Sequence, residues 1–276
     1  MDRFILQIML LGLGLIPGQS LGHGSLHETV RALEVELAEK PGDPDLLLRL
    51  AGLHCKHGDL DKAKACADQV KPEQRAAVHL INARLHEAAG KPAAALVATE
   101  SFIALKPDEP EGWYQNAGLL TRTQQPDRAA HAHAQGLTLS GESATADMFL
   151  YGAKLWQDCD NQEKALGTLS KGAAQHPKHP ILAESLGRML FSEGDQEASL
   201  VIFDKQRTIY PTMAYRWWKL EGDLYAPNNP ERSRMAYRKA LAHLDQRYAK
   251  RRPPAAVAEI RKQIESIMQR AERAAQ

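Results

Sequence analysis

The sequence predicts an all-α fold, a right-handed solenoid of about six helical hairpins with a helical cap at each end. Three observations carry that expectation. Alanine recurs at Ala63, Ala95, Ala129 and Ala165, and Ser199 and Ser233 continue the series, in steps of 32, 34, 36, 34 and 34 residues. A period near 34 is what stacked helix–turn–helix units give. A second series of small residues runs ahead of the first, at Ala51, Ala83, Ala117, Ala153 and Gly187, with Glu221 breaking it. Antiparallel helices cross closely only where both are small, so Ala51 is expected to meet Ala63, and Ala153 to meet Ala165. Between the two series lies a turn position, at Gly58, Gly90, Gln124, Asp160, Gly194 and Asn228. Glycine or asparagine there accepts the left-handed backbone that ends a helix.

The elements follow in order. Met1 to Arg3 precede an apolar run from Phe4 to Ile16, then Pro17 and the small residues Gly18, Ser20 and Gly22. That is the layout of a secretory signal peptide, with cleavage after Ser20 or after Gly22. The run is too short to cross about 30 Å of hydrocarbon as a helix, so no stable membrane insertion is expected after cleavage. Export into a bacterial periplasm is the expected location. Leu26, Val30, Leu33 and Leu37 make a narrow apolar stripe, read as a capping helix ended by Pro41-Gly42-Asp43-Pro44. From Pro44 on, each unit opens with a bulky residue at Leu47, His79, Trp113, Phe149 or Trp217, with Ala183 the exception. A larger side chain closes the first helix at His54, His86, Leu120, Trp156, Leu190 and Leu224, and fillers such as Phe203 and Tyr237 lie in the second. Pro107, Pro177 and Pro211 end their units. Val257, Ile260, Ile264, Ile267 and Met268 share one stripe of a last helix over 255–275 that covers the far edge. The division is therefore 1–22 signal peptide, 23–43 linker and capping helix, 44–247 repeats, and 248–276 carboxy-terminal capping helix.

This set of positions resembles the tetratricopeptide repeat family over about 200 residues. The resemblance implies a concave wall lined by the first helices, where a protein or peptide partner would lie. Carried over unit by unit, it puts Arg84, Glu87, Tyr114, Lys154, Gln157, Glu184, Arg188, Tyr215, Trp218 and Tyr225 on that wall. Arg84, Lys154 and Arg188 in a stack would suit an acidic peptide or a free carboxylate. The alternative is that these are ordinary solvated faces, with Trp218 packed as core. The lysine and asparagine set with which family members clamp a chaperone's carboxy terminus is absent, since Leu48, Gly52 and Leu80 stand in its place.

Composition excludes other classes. A net charge of +1 and 6% aromatic residues offer neither a field nor stacking platforms for nucleic acid. No zinc-protease, nucleophile-elbow, phosphate-loop or dinucleotide motif is present, so no catalytic residue and no cofactor is expected. His86-Glu87-Ala88-Ala89-Gly90 lacks the second histidine of a zinc-protease helix. Cys55, Cys66 and Cys159 are odd in number and read as small, partly buried thiols. His54 and His57 share a helical face, but His54 holds a core position, so no metal is expected there. The one metal alternative lies at the amino terminus. Cleavage would leave His23, with His27 nearby, to chelate copper, making an exported copper-handling accessory protein the rival reading. Oligomeric state is not legible.

Overall fold

A computed structural model of the chain describes residues 23–70, 75–250 and 252–274. The signal-peptide reading of 1–22 lies outside the described residues. The described residues form helices and no strand. In chain order they are α1 His23–Glu39, α2 Pro44–His57, α3 Leu60–Asp68, α4 Arg75–Ala88, α5 Pro92–Leu105, α6 Pro110–Arg122 and α7 Pro126–Ser140, followed by α8 Ala146–Gln157, α9 Gln162–Gln175, α10 Pro180–Ser192, α11 Gln196–Ile209, α12 Ala214–Tyr225, α13 Pro230–Tyr248 and α14 Ala255–Ala274. Two compact units divide them: residues up to Ala144 with Lys154–Asn161, and Thr145–Ala153 with residues from Gln162 onward.

Within each hairpin the two small-residue series are buried as their spacing predicts. Ala51, Ala63, Ala83, Ala95, Ala117, Ala129 and Ala165 are wholly inaccessible, and Ala153 is 2% exposed. Where the pair becomes glycine and serine, a polar link replaces the methyl groups: the Ser199 hydroxyl donates to the Gly187 carbonyl at 2.8 Å. Ser233 does the same to Gly222, also at 2.8 Å. The missing side chain makes room for a ring. A Cβ on Gly222 would stand 2.6 Å from the Tyr237 ring, and one on Gly187 would strike Phe203.

Five turns repeat one backbone device. Gly58, Gly90, Gln124, Asp160 and Gly194 have φ between +55° and +92°, and the next amide reaches back five residues. Asp59 donates to the His54 carbonyl at 2.9 Å, Lys91 to His86 at 2.8 Å, and Gln125, Asn161 and Asp195 to Leu120, Trp156 and Leu190. This is the closure that caps an otherwise orphaned helix end. The acceptors are the residues whose larger side chains close each first helix.

The sixth turn departs from this. Asn228 is not left-handed, and the Asn229 amide reaches back four residues, to Tyr225 at 2.7 Å. The connection is one residue shorter than in the other hairpins. Gly222, not Glu221, therefore faces the serine of the second helix, and Tyr225, not Leu224, closes α12. The apparent exception at Glu221 is a one-residue slip.

Prolines start helices as well as following them. Pro44, Pro92, Pro110, Pro126, Pro180 and Pro230 all fall in the first helical positions, where a missing N–H costs nothing. The caps sit where the apolar stripes put them. Leu33 of α1 is 4% exposed against Leu46 and Leu50, with Val30 and Leu37 beside it. Ile264 of α14 is buried against Tyr215, Tyr237, Ala240 and Leu244, and Val257, Ile260, Ile267 and Met268 pack alongside. The three cysteines are half-buried and unpaired.

Candidate functional site

In the first unit, α4 and α6 set charged side chains across from each other. The Arg84 guanidinium donates to Glu111 at 2.5 Å. Glu87 pairs with Arg122. The Arg84 guanidinium passes over Gly52 of α2, at an ordinary contact distance of 3.7 Å from where a Cβ would stand. Lys154 and Gln157, from α8, are exposed. In the second unit Glu184 and Arg188 are paired along α10 at 2.8 Å. Six of the ten residues expected on a partner wall are thus accessible, but Arg84 and Arg188 already have carboxylate partners. Within its own unit each is part of an ion pair and not a bare positive charge.

The four aromatic residues expected there are not on it. Tyr215 is 5% exposed and Tyr225 2% exposed, both in the core. Trp218 packs against the cluster around Ile264 and takes the Arg207 guanidinium over its ring at 5.5 Å. For Trp218 and Tyr225 the cause is the slip in the last hairpin: one residue turns a helical position by about 100°, which carries these rings inward. Tyr215 is buried instead by the capping helix, against Ile264. By the same slip, Lys219 and Asp223 occupy the places of Glu184 and Arg188, and they too are paired, at 2.7 Å. Counting by the regular spacing does not bring these two to the positions equivalent to Glu184 and Arg188. Tyr114 fails for a different reason. Its ring lies over Gly136 of α7, its hydroxyl shares a hydrogen with Ser140 at 2.9 Å, and burial pushes the phenol up, only partly offset by that bond. A glycine inside the second helix of the hairpin is the signal that points to such a ring.

The turn prolines carry a pattern that the sequence does not display. The Trp113 indole donates to the Pro107 carbonyl at 2.8 Å, Gln206 to Pro177 at 3.1 Å, and His243 Nε2 to Pro211 at 2.8 Å. A carbonyl only accepts, so neutral His243 carries its proton on Nε2 and leaves Nδ1 as an acceptor. His243 lines an open depression of about 580 Å³ in the second unit with Asp204, Arg207, Thr208, Pro211, Ala214 and Trp218. Arg207 there is held by Asp204 at 2.6 Å and Glu221 at 3.0 Å.

The histidines divide sharply. His54 is buried, 4% exposed, as its core position requires. His179 caps α10, its Nδ1 accepting the Leu182 amide at 3.3 Å. Among the described residues no three His, Cys, Asp or Glu side chains gather as a metal cluster. The side chain of His23 lies outside the described residues, so the amino-terminal copper arrangement is not visible. No described helix is long and apolar enough to cross a membrane.

Residues 20–85 match the family model described as tetratricopeptide repeat. The C-terminal part of a TPR repeat-containing protein from Cytophaga hutchinsonii is similar in structure, at 12% identity and a TM-score of 0.59 over 79% of this chain and 90% of that one. Pseudomonas aeruginosa pilF gives 14% identity and 0.49 over 80% and 97%. YrrB, described as a TPR protein with an unusual peptide-binding site, gives 14% and 0.47 over 85% and 99%. No curated protein matches.

Proposed function

We propose that this tetratricopeptide-repeat protein is a non-catalytic adaptor that holds a protein or peptide partner against the outward faces of its first helices. The observation that supports this is the division of labour within the hairpins. The small and apolar faces are consumed in packing, while α4, α6, α8 and α10 keep Arg84, Glu87, Glu111, Arg122, Lys154, Gln157, Glu184 and Arg188 at least partly accessible. Within each unit a face that carries ion pairs selects a partner by charge pattern, because each exposed pair is worth only about 0–1 kcal/mol and can be exchanged for a pair with the partner. The reading extends to an exported adaptor on the strength of the apolar run at Phe4 to Ile16.

The test is capture of partners from extract by the full chain and by a charge-reversed variant, Arg84→Glu with Lys154→Glu. Both positions are solvent-facing, so helicity should be unchanged. The reading requires that at least one partner held by the wild type is lost by the variant. Identical captured sets would remove the assignment.

A further inference from the structure

The near-neutral net charge conceals an uneven distribution. Residues 230–276 hold 12 of the chain's 35 lysines and arginines but only 5 of its 34 acids. The last part of the chain is thus basic, and what precedes it carries a surplus of acid. The excess of cations gathers on α13 and the residues that follow it.

Helical phase says where these charges stand. Ser233, Ala236, Tyr237, Ala240 and Leu244 are buried, so the opposite face of α13, about 28 Å long at about 1.5 Å per residue, is turned outward. Arg238 and Lys239 lie on it and are exposed, Arg234 flanks it half-buried, and Lys250 and Arg252 carry the row past the helix end, both exposed. Among the described residues none of these cations meets a carboxylate. Two acids share the face, Glu231 and Asp245, and Asp245 is taken up by Arg261 of α14. Met235, 48% exposed, stands among the cations. On the partner wall, by contrast, Arg84 and Arg188 are each held by a carboxylate.

We infer that this face of α13 is a peripheral docking surface for an anionic phospholipid bilayer. Unpaired cations are drawn to such a surface without first giving up a protein carboxylate, and each adds about fivefold to the partition. An exposed apolar side chain among them can enter the headgroup boundary. The aromatic residues of α13, Tyr237 and Tyr248, pack toward the Ile264 cluster, so the face lacks the platforms on which nucleic-acid bases stack. The choice of a membrane rests on reading Phe4 to Ile16 as a segment that brings the chain to one. The surface is separate from the proposed partner wall.

The full chain is sedimented with vesicles of phosphatidylcholine alone and with vesicles that also contain phosphatidylglycerol. The neutral vesicles register whatever Phe4 to Ile16 contributes by itself. Binding to the anionic vesicles should be at least about tenfold tighter at about 0.1 M salt. That advantage should vanish at about 1 M, where the Debye length has fallen from about 10 to about 3 Å. Arg238→Glu with Lys239→Glu should abolish it at low salt too. Lys62→Glu with Lys91→Glu makes the same change of net charge on exposed lysines of the first unit and should keep it. Circular dichroism checks the fold of each variant. Should the reversal disturb it, Arg238→Gln with Lys239→Gln removes the charges alone and should still lower the advantage several-fold. Vesicle binding needs neither export nor a captured partner, so its failure is read apart from that of the adaptor reading. Equal binding to both kinds of vesicle, or an advantage that survives high salt or the α13 variant, overturns the surface. So does equal loss in the first-unit variant, or displacement of the vesicles by short duplex DNA.

Discussion

Two glycines in the second unit, each inside a helix, should respond to the same substitution with opposite signs. Gly187 lies in α10 against Phe203, which is wholly buried. An alanine Cβ there would fall on Phe203 Cε1 and stand 2.8 Å from Cζ. The ring cannot withdraw, since it is packed with Ala183, Trp217 and Leu220. Forcing a methyl into such a place costs about 1–3 kcal/mol, and the severity of this overlap puts it toward the upper end. Alanine returns about 0.8–1.0 kcal/mol in helix propensity. Gly187→Ala should therefore destabilise by about 1–2 kcal/mol. Gly167 lies in α9, exposed, with no heavy atom within 4 Å of its would-be Cβ. Gly167→Ala keeps only the propensity gain and should stabilise by about 0.8–1.0 kcal/mol. Urea unfolding followed by far-UV circular dichroism measures both. Phe203→Leu, by vacating the ring, should make the Gly187 change cheaper in the double variant than in isolation. If Gly187→Ala raises the midpoint as Gly167→Ala does, the close approach of ring to glycine is wrong, and with it the packing of the fifth hairpin.

Two further outcomes follow from the same geometry. Arg207 has 11% side-chain exposure between Asp204 and Glu221, whereas Arg188 has 48% exposure in a single pair along its helix. Arg207→Ala should cost more than about 1 kcal/mol in urea unfolding, while Arg188→Ala should stay within about 0.5 kcal/mol of wild type. The Tyr237 phenol is pushed well above its ordinary range, first by burial and then by its bond to Asp223, donated at 2.8 Å. A phenol whose folded pKa exceeds its unfolded one contributes stability that is whole below about pH 10 and declines as pH rises beyond it. Stability should therefore fall above about pH 10, and more shallowly in Tyr237→Phe; equal slopes in the two proteins would remove this group as the cause.

Much of the fold was legible because a solenoid repeats its own constraints. The alanine series, the left-handed turns and the two apolar cap stripes each follow from local geometry, and each unit checks the next. The candidate wall was legible only where the phase of the repeat held. Arg84, Glu87, Lys154, Gln157, Glu184 and Arg188 lie in hairpins with the regular connection, and their faces could be counted from the turn. In the last hairpin the connection loses one residue, and counting by a fixed period assigns every side chain of α12 to a neighbouring face. Tyr225 and Trp218 were misplaced by that, whereas Tyr215 is covered by the capping helix α14. Asn228 hid the loss, because asparagine suits either kind of turn. Charge pairing was illegible for another reason. Arg84 and Glu111 are 27 residues apart and meet only because successive first helices lie alongside one another. Phase says which way a guanidinium faces; only the helix beside it says whether that charge is already spent. The distinction bears directly on what the wall can recognise. A row of unpaired arginines would draw any acidic segment, whereas a wall of pairs such as Arg84 with Glu111 would, on the proposed reading, favour a partner that presents both signs.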